Sequence, residues 1–175
     1  MSPLDNTFID LYETHYDQVH AFCARRVGWD RADDAVADVF GVVWRRIDEV
    51  GPDTGKAWLF AIARGVVLNE WRTTRRKRRL AEKVGAQRLP SPPDPAMVIV
   101  RRSEDEVIVR ALGQLSSSDQ EVLRLAAWEE LTGPEIAATL GISVAAAHKR
   151  LRRAKKRLAR VVGSPPDDER TEEAS

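Results

Sequence analysis

Residues 131–162 read LTGPEIAATLGISVAAAHKRLRRAKKRLARVV, and this stretch decides the fold of the second half of the chain. A short helical pattern in its first part stops at Gly141. A second helix then begins after Ser143, because serine is a favoured N-cap residue, and no helix breaker follows before Val162. The stretch therefore predicts a helix, a tight turn and a second helix.

The second of these helices has one apolar stripe and is otherwise cationic. Its apolar side chains recur in alternating steps of three and four, which places them on one face: Val144, Ala147, Leu151, Ala154, Leu158 and Val161. The cations are Lys149, Arg150, Arg152, Arg153, Lys155, Lys156, Arg157 and Arg160. A solvated helix normally interleaves carboxylates to gain ion pairs, and none occurs between Ser143 and Val162, so the pattern favours nucleic acid as the partner.

The charge of the chain is segregated along its length. The 175 residues include 28 Lys and Arg against 27 Asp and Glu, a net charge of +1, yet residues 1–50 hold ten acids against five bases. Residues 72–88 reverse this balance, with eight bases against one acid. Residues 72–88 therefore form a second basic patch in addition to the cationic helix. Two such patches indicate two contacts with one long polyanion.

The first half of the chain also has helical periodicity. Apolar positions predict one helix from Asp5 to Val27, ended by Gly28, and a second that Asp30 caps. A third begins at Ala57, is apolar on nearly every side at first, and then runs into the basic patch, so we expect it at the centre of a bundle. Residues 85–95, GAQRLPSPPDP, hold four of the nine prolines and cannot form a helix.

These patterns predict an all-α protein of two small helical domains joined by a proline-rich linker, the C-terminal one a helix-turn-helix. The predicted boundaries are 1–84 for the first domain, 85–103 for the linker, 104–162 for the second domain and 163–175 for a disordered acidic tail. Within the second domain we expect Ser118 to cap a helix, with Glu121 at the capping-box position.

Several classes of function have no support in the sequence. Cys23 is the single cysteine, so no internal disulfide or zinc cluster is expected. We find no nucleophile elbow, phosphate loop or metal-ligand cluster, so we expect neither an enzyme nor a cofactor. The N-terminus lacks the features of a signal peptide, and no apolar run is long enough to span a membrane, which predicts a cytoplasmic protein without membrane insertion.

Asp34 and Asp38 lie one helical turn apart and share a face of the second helix. Such a pair could serve acid–base chemistry, a metal ion or a basic protein surface. The metal needs further oxygen ligands and the chemistry needs a cleft, so contact with a partner, or plain solvation, is the favoured interpretation.

The order of these motifs resembles the extracytoplasmic-function group of bacterial RNA polymerase sigma factors, from about Phe8 to Val162. FIDLYETHYDQVHAFCARRVG is similar to the first helix of that family, and DDAVADVFGVVWRRID to its polymerase-binding helix. AWLFAIARGVVLNEWRTTRRKRR is similar to its promoter-melting and minus-ten helix. The segment LGQLSSSDQEVLRLAAWEELTGPEIAATLGISVAAAHKRLRRAKKRL resembles the domain that reads the minus-thirty-five element.

The resemblance implies that Asp34 and Asp38 contact core RNA polymerase. It also implies that residues 50–56 and the following helix, as far as Gly65 and Asn69, hold an unstacked minus-ten base, with Arg64, Arg72, Arg75 and Arg76 on the phosphates. The family usually has asparagine at Gly65, and aspartate is common at Asn69. The resemblance therefore does not determine which minus-ten base this chain reads or whether Gly65 takes part.

For the minus-thirty-five element, the resemblance places His148, Lys149, Arg152 and Arg153 toward the bases of the major groove. This agrees with their positions opposite the apolar stripe, and Arg and Lys donate well to guanine. Ser143 at the helix start, with Lys156 and Arg157, is better placed for phosphates. Because His148 replaces an arginine or lysine that is common in the family, we expect a weaker or different base preference there.

The resulting expectation is a sigma factor that binds core polymerase, recognises both promoter elements and promotes melting, with an anti-sigma factor as a further partner. The alternative is a helix-turn-helix transcription regulator that binds operators independently of core polymerase. It explains residues 131–162 equally well, but it leaves the patch at Arg72–Arg79 and the face of Asp34 and Asp38 without a task.

Overall fold

The computed structural model describes residues 3–51, 55–83, 108 and 110–163. Six α-helices lie wholly within these residues: α1 (Pro3–Val27), α2 (Ala32–Arg45), α3 (Gly55–Lys83), α4 (Ser117–Ala127), α5 (Gly133–Leu140) and α6 (Val144–Val162). Residues 108 and 110–113 are also helical. No strand occurs among the described residues, which confirms the all-α prediction. The predicted linker, all of the predicted tail but Gly163, and part of the loop at 50–56 lie outside them.

Helices α1, α2 and α3 pack on one another in the first half of the chain. The beginning of α3 is buried at Leu59, Phe60 and Ala63, all with no exposed surface, as expected for a central helix. Gly28 ends α1 with a φ of 93°, a conformation that other residues rarely adopt. Arg31 ties the unit together, because its guanidinium donates to the Val27 carbonyl (2.7 Å) and pairs with Glu70 (2.9 Å).

The prediction that Asp30 caps the second helix is wrong. Residues Trp29–Arg31 form one turn of 3₁₀-helix, and α2 begins directly after it at Ala32, with no side-chain cap. The backbone N–H of Ala32 donates to the carbonyl of Trp29. Because the turn already satisfies this donor at the helix start, no aspartate oxygen is needed there.

Helices α4, α5 and α6 pack together in the second half. Ser116, and not Ser118 as predicted, caps α4, since its hydroxyl accepts from the Asp119 N–H at 3.2 Å. Beginning the helix at Ser117 puts the Asp119 carboxylate in the first turn, where the helix dipole favours an anion. Three consecutive serines offer nearly equivalent caps, so local sequence alone does not separate them.

The helix-turn-helix has the predicted boundaries. Thr132 and Glu135 form a capping box at the start of α5, and Gly141 ends that helix in the left-handed conformation, with a φ of 65°. Ser143 caps α6, accepting from the Ala146 N–H at 3.2 Å. On the predicted apolar stripe, Ala147 and Ala154 are buried, and Leu151, Leu158 and Val161 pack against the core. Val144 departs from the prediction, because 43% of its surface is exposed in the first turn of α6.

The two units contact each other through α3 and α5. The Thr139 hydroxyl of α5 donates to the Ala57 carbonyl in the first turn of α3 at 3.3 Å. Residues from both units contribute to one continuous buried cluster. The two reading surfaces predicted from the sequence therefore belong to one compact arrangement.

Candidate nucleic-acid interface

Helix α6 presents its cations on the side away from the core. Lys149, Arg152, Arg153 and Lys156 are all exposed, while the intervening Ala154 is fully buried. No carboxylate of α6 neutralises them, because the helix contains none. Four solvent-facing cations on one rigid helix suit the phosphates and base edges of a duplex groove.

The structure gives two of the predicted phosphate contacts an additional role inside the protein. The Ser143 hydroxyl is occupied by the cap of α6. The Arg157 guanidinium pairs with the Asp119 carboxylate of α4, whose side chain is only 3% exposed, while that of Arg157 is 47% exposed. Arg157 therefore ties α6 to α4 and still faces solvent with part of its guanidinium. Sequence reasoning missed this pairing.

His148 lies against the start of α5. A Cβ atom built on Gly133 would stand 1.9 Å from the His148 Nε2, well inside van der Waals contact. The imidazole therefore occupies the space that the missing side chain of Gly133 leaves. The absence of a side chain at Gly133 thus allows the position of His148, which is predicted to read a base. The local sequence does not indicate this contact between Gly133 and His148.

The C-terminal part of α3 carries the second basic surface. Arg72, Arg75 and Arg76 are exposed, as the sequence predicts for residues that contact DNA. Trp71 beside them is half-buried, and its indole Nε1 donates to the Arg26 carbonyl at 3.0 Å. This hydrogen bond satisfies the polar atom of the ring and fixes Trp71 as part of the fold.

A groove of about 740 Å³ between α2 and α3 brings together residues that the sequence assigned to different partners. Asp34 and Asp38 line it from α2, and Gly65 and Asn69 from α3. All four are exposed. A Cβ on Gly65 would meet no other atom within 4 Å, so the missing side chain leaves open space on the α3 wall of the groove.

Arg64, also predicted to contact DNA, lies on another side of α3 and faces the second unit. Its Nε is 3.8 Å from Glu121 Oε1 of α4. Close by, the Arg26 guanidinium lies 3.0 Å from Glu129 Oε1 and 3.5 Å from Glu121 Oε2, and Arg25 is 2.9 Å from the same Glu129 oxygen. We call Arg25, Arg26, Arg64, Glu121 and Glu129 the charge clasp. Sequence periodicity gave no indication of it.

Other potential sites receive little support. Burial raises the pKa of Cys23 to about 12, although Arg26 nearby lowers it, so the thiol is protonated and shielded at neutral pH. In the part of the chain that the structure describes, no three His, Cys, Asp or Glu side chains are grouped to hold a metal ion. Within the same residues, no helix has the length and apolar character to cross a bilayer.

Comparison with known families matches both units. The family model for sigma-70 region 2 matches residues 11–77, and that for sigma-70 region 4 matches residues 105–158. The sequence is 34% identical over 139 residues to the RNA polymerase sigma factor CnrH of Cupriavidus metallidurans, covering 73% of this chain and 71% of that protein. It is 27% identical over 154 residues to the ECF RNA polymerase sigma factor SigL of Mycobacterium tuberculosis, covering 85% and 84%.

Solved structures agree with this match. The structure of CnrH in complex with the cytosolic domain of CnrY aligns with a TM-score of 0.62 at 25% identity, covering 89% of this chain and 86% of that one. The sigma factor RpoE of Bartonella quintana, in complex with the anti-sigma factor NepR, has the same fold: the TM-score is 0.66 at 22% identity, covering 91% and 98%.

Proposed function

The chain belongs to the extracytoplasmic-function group of the sigma-70 family of RNA polymerase sigma factors, and from this premise we propose how its surfaces share the work of transcription initiation. Such a factor confers promoter specificity on bacterial RNA polymerase by binding the core enzyme and the promoter. The observation that supports the division of tasks is the separation of two basic surfaces, one on each unit: Arg72, Arg75 and Arg76 on α3, and the exposed cations of α6.

We assign the minus-thirty-five element to α6. Lys149, Arg152 and Arg153, with His148 held against Gly133, read the bases. Lys156, together with the start of α6 at Ser143 and the exposed part of Arg157, holds phosphates. Each well-placed Arg contact with guanine contributes about 1–3 kcal/mol of discrimination between bases.

We assign the minus-ten element to α3 and the core polymerase to α2. Asp34 and Asp38 repel phosphates, so the part of the groove wall that these two residues form suits a basic protein surface. Gly65 and Asn69 form the opposite wall, next to the exposed cations of α3, and suit a base whose phosphates those cations hold. Unstacking a base costs a few kcal/mol, which such contacts offset.

Residues 1–84 and 104–162 serve in this proposal as the two functional domains, joined by residues 85–103. The protein acts in the cytoplasm beside DNA and polymerase, and it supplies specificity without a catalytic site of its own. We also propose an anti-sigma factor as a partner, because RpoE of Bartonella quintana is seen bound to the anti-sigma factor NepR. The alternative of a regulator independent of polymerase gives α2 and α3 no task and leaves the region 2 match unexplained.

Transcription reconstituted from purified core polymerase tests the function. Core enzyme plus this protein should start transcripts at discrete genomic sites, and sequencing those starts reveals both promoter elements. The proposal fails if no promoter-dependent transcript appears while the same core is active with another sigma factor.

Two matched pairs of variants test the assignment of surfaces. Asp34→Asn with Asp38→Asn should weaken binding to core polymerase, whereas Asp10→Asn with Asp17→Asn, which removes two exposed carboxylates from α1, should not. Arg153→Ala should relax minus-thirty-five specificity, whereas Lys156→Ala should weaken binding evenly and reduce the salt slope by about one. Equal effects within either pair would contradict the corresponding assignment.

A further inference from the structure

Helix α6 begins with an apolar surface that the fold does not bury. Residues 144–147 at its start have only aliphatic side chains. Ala147 is buried against the core, but Val144 has 43% of its surface exposed, and Ala145 is exposed as well. We call Val144 and Ala145 the apolar tip of α6. Burial in the core does not account for the apolar character of the tip.

The start of α6 differs in composition from most other helix starts in the protein. The first turn of a helix favours acidic side chains, because its free N–H groups and the helix dipole attract negative charge. Helices α1, α2, α4 and α5 follow this rule, with these acids in the first turn: Asp5, Asp33, Asp34, Asp119 and Glu135. Helices α3 and α6, which we assign to DNA, have none there. An acid at the start of α6 would repel DNA phosphates, so its absence suits close contact with a duplex.

The apolar tip lies on the side of α6 that carries the proposed base-reading residues. Residues four or seven positions apart share a face of a helix. Ala145 is therefore aligned with Lys149 and Arg152, and Val144 with His148. In a helix-turn-helix, the N-terminal residues of the second helix contact base edges in the major groove. Because α6 is the second helix here, the tip is placed where a base edge would meet it.

The major groove presents one apolar group among many polar ones. Every base pair offers hydrogen-bond donors or acceptors there, and thymine alone among the four bases adds a methyl group, at C5. Aliphatic side chains such as alanine contact this methyl group and distinguish thymine from the other bases, whereas Arg and Lys donate to guanine. A single exposed valine is ordinary on a protein surface. Two exposed aliphatic residues at the groove-facing start of a cationic helix match the thymine methyl.

We propose that Val144 and Ala145 are specificity-determining residues that select a thymine in the minus-thirty-five element through its C5 methyl group. The inference rests on the proposed assignment of α6 to that element. One turn of α6 advances about 5.4 Å, and successive base pairs are about 3.4 Å apart. The selected thymine should therefore lie within about two base pairs of the base that Lys149 contacts, one turn farther along the helix.

Replacing thymine by uracil in the promoter tests the proposal. Uracil keeps every hydrogen-bonding group of thymine and lacks only the methyl group. The templates carry deoxyuridine in place of one thymine at a time, on either strand of a minus-thirty-five element identified by start-site sequencing. Limiting holoenzyme, made from core polymerase and the full chain, transcribes them. Burial of one methyl group changes affinity about fourfold, so one substitution should lower transcription by about that factor.

A double variant connects this effect to the tip. Val144→Ser with Ala145→Ser makes the tip polar, and it should transcribe the thymine and uracil templates equally. The matched control is Ala159→Ser with Val162→Ser, which makes the same changes at exposed positions about 20 Å farther along α6. The control should keep the full difference between thymine and uracil. Circular dichroism verifies that both variants fold, and the uracil series on the unaltered protein tests the methyl contact without any variant.

Selection from a template pool provides an independent measurement. With a randomised minus-thirty-five element, the unaltered protein should enrich thymine at one position, and Val144→Ser with Ala145→Ser should lose that enrichment while retaining the preference at the neighbouring guanine. Transcription that is insensitive to every uracil would overturn the inference, as would a double variant that still discriminates between thymine and uracil. Both results are distinct from failure of the proposed function, in which no promoter-dependent transcript forms on the thymine template.

Discussion

The pairing of Arg157 with Asp119 leads to a prediction about protein stability that concerns α6, the helix that we propose to bind DNA. We predict that Arg157→Ala destabilises the protein much more than Lys156→Ala, although the two residues are neighbours on α6. The Asp119 carboxylate is 3% exposed, so removing Arg157 leaves a buried charge without its partner. Lys156 is exposed, and its removal uncovers nothing.

The magnitude follows from the burial of the two partners. Breaking a fully buried ion pair by removing one residue costs about 3–5 kcal/mol. Because the Arg157 side chain is 47% exposed and already partly hydrated, the pair contributes less than a fully buried one, and we expect Arg157→Ala to cost about 2 kcal/mol of unfolding free energy. Exposed substitutions such as Lys156→Ala stay within about 0.5 kcal/mol. Lysine and arginine have similar helix propensities, so the gain from alanine is the same in both variants and cancels.

Urea unfolding followed by circular dichroism provides the measurement, with the midpoints of the two variants compared at one pH and salt concentration. A double-mutant cycle with Asp119→Asn isolates the pair: in that background, Arg157→Ala should lose most of its cost. If the midpoints of Arg157→Ala and Lys156→Ala coincide, or if the cost persists unchanged in the Asp119→Asn background, the pair does not hold α6 to α4.

Three further predictions concern Gly65, Gly133 and Glu135. Gly65→Ala should stabilise the protein by about 0.5–1 kcal/mol in melting curves, because Gly65 lies in a helix with open space at its Cβ, and a destabilised variant would contradict this. Gly133→Ala should displace His148 and weaken binding in titrations with a minus-thirty-five duplex, and unchanged binding would contradict this. Burial raises the pKa of Glu135, but hydrogen bonds from Thr132 and the charge of Lys56 outweigh it, so the pKa lies below its usual value of 4.5. The stability that this carboxylate contributes is therefore complete above pH 4.5 and is lost as the pH falls through the pKa of Glu135 in the folded protein. The difference in melting temperature between the unaltered protein and Glu135→Ala should therefore decrease in acid and stay constant from pH 6 to 8.

Features set by neighbouring residues could be read from the sequence. The Ser143 cap, the helix end at Gly141 and the apolar stripe of α6 from Ala147 to Val161 depend on residues within about two helical turns, and the structure has them as expected. The same holds for the buried first half of α3, where the density of apolar residues leaves no polar face. In contrast, Ser116 and Ser118 are equally good caps by residue type, so the residue type does not decide between them.

Contacts between distant parts of the chain could not be read in this way. Arg26 and Glu129 are separated by 103 positions, and neither helical period nor composition relates them. The pairing of Arg157 with Asp119 spans 38 positions and likewise depends on how α4 packs on α6. A run of cations predicts an exposed cationic face, which the structure has, but it does not reveal which cation is also bound within the protein.

The groove between α2 and α3 shows why acidic and basic residues can serve neighbouring partners. The part of the α2 wall that Asp34 and Asp38 form would repel a phosphate backbone, although Arg45 lines the same wall farther along the helix, so we expect DNA to approach from the α3 side. From Asn69 to Arg76 the helix rises about 10 Å, which carries the strand away from these carboxylates and onto exposed cations. A basic polymerase surface on α2 would neutralise the two aspartates and remove this repulsion. We therefore expect Asp34→Asn with Asp38→Asn to weaken the polymerase contact and to strengthen DNA binding by the free protein. If the two aspartates did not repel DNA, the double variant would bind DNA no more tightly than the unaltered protein.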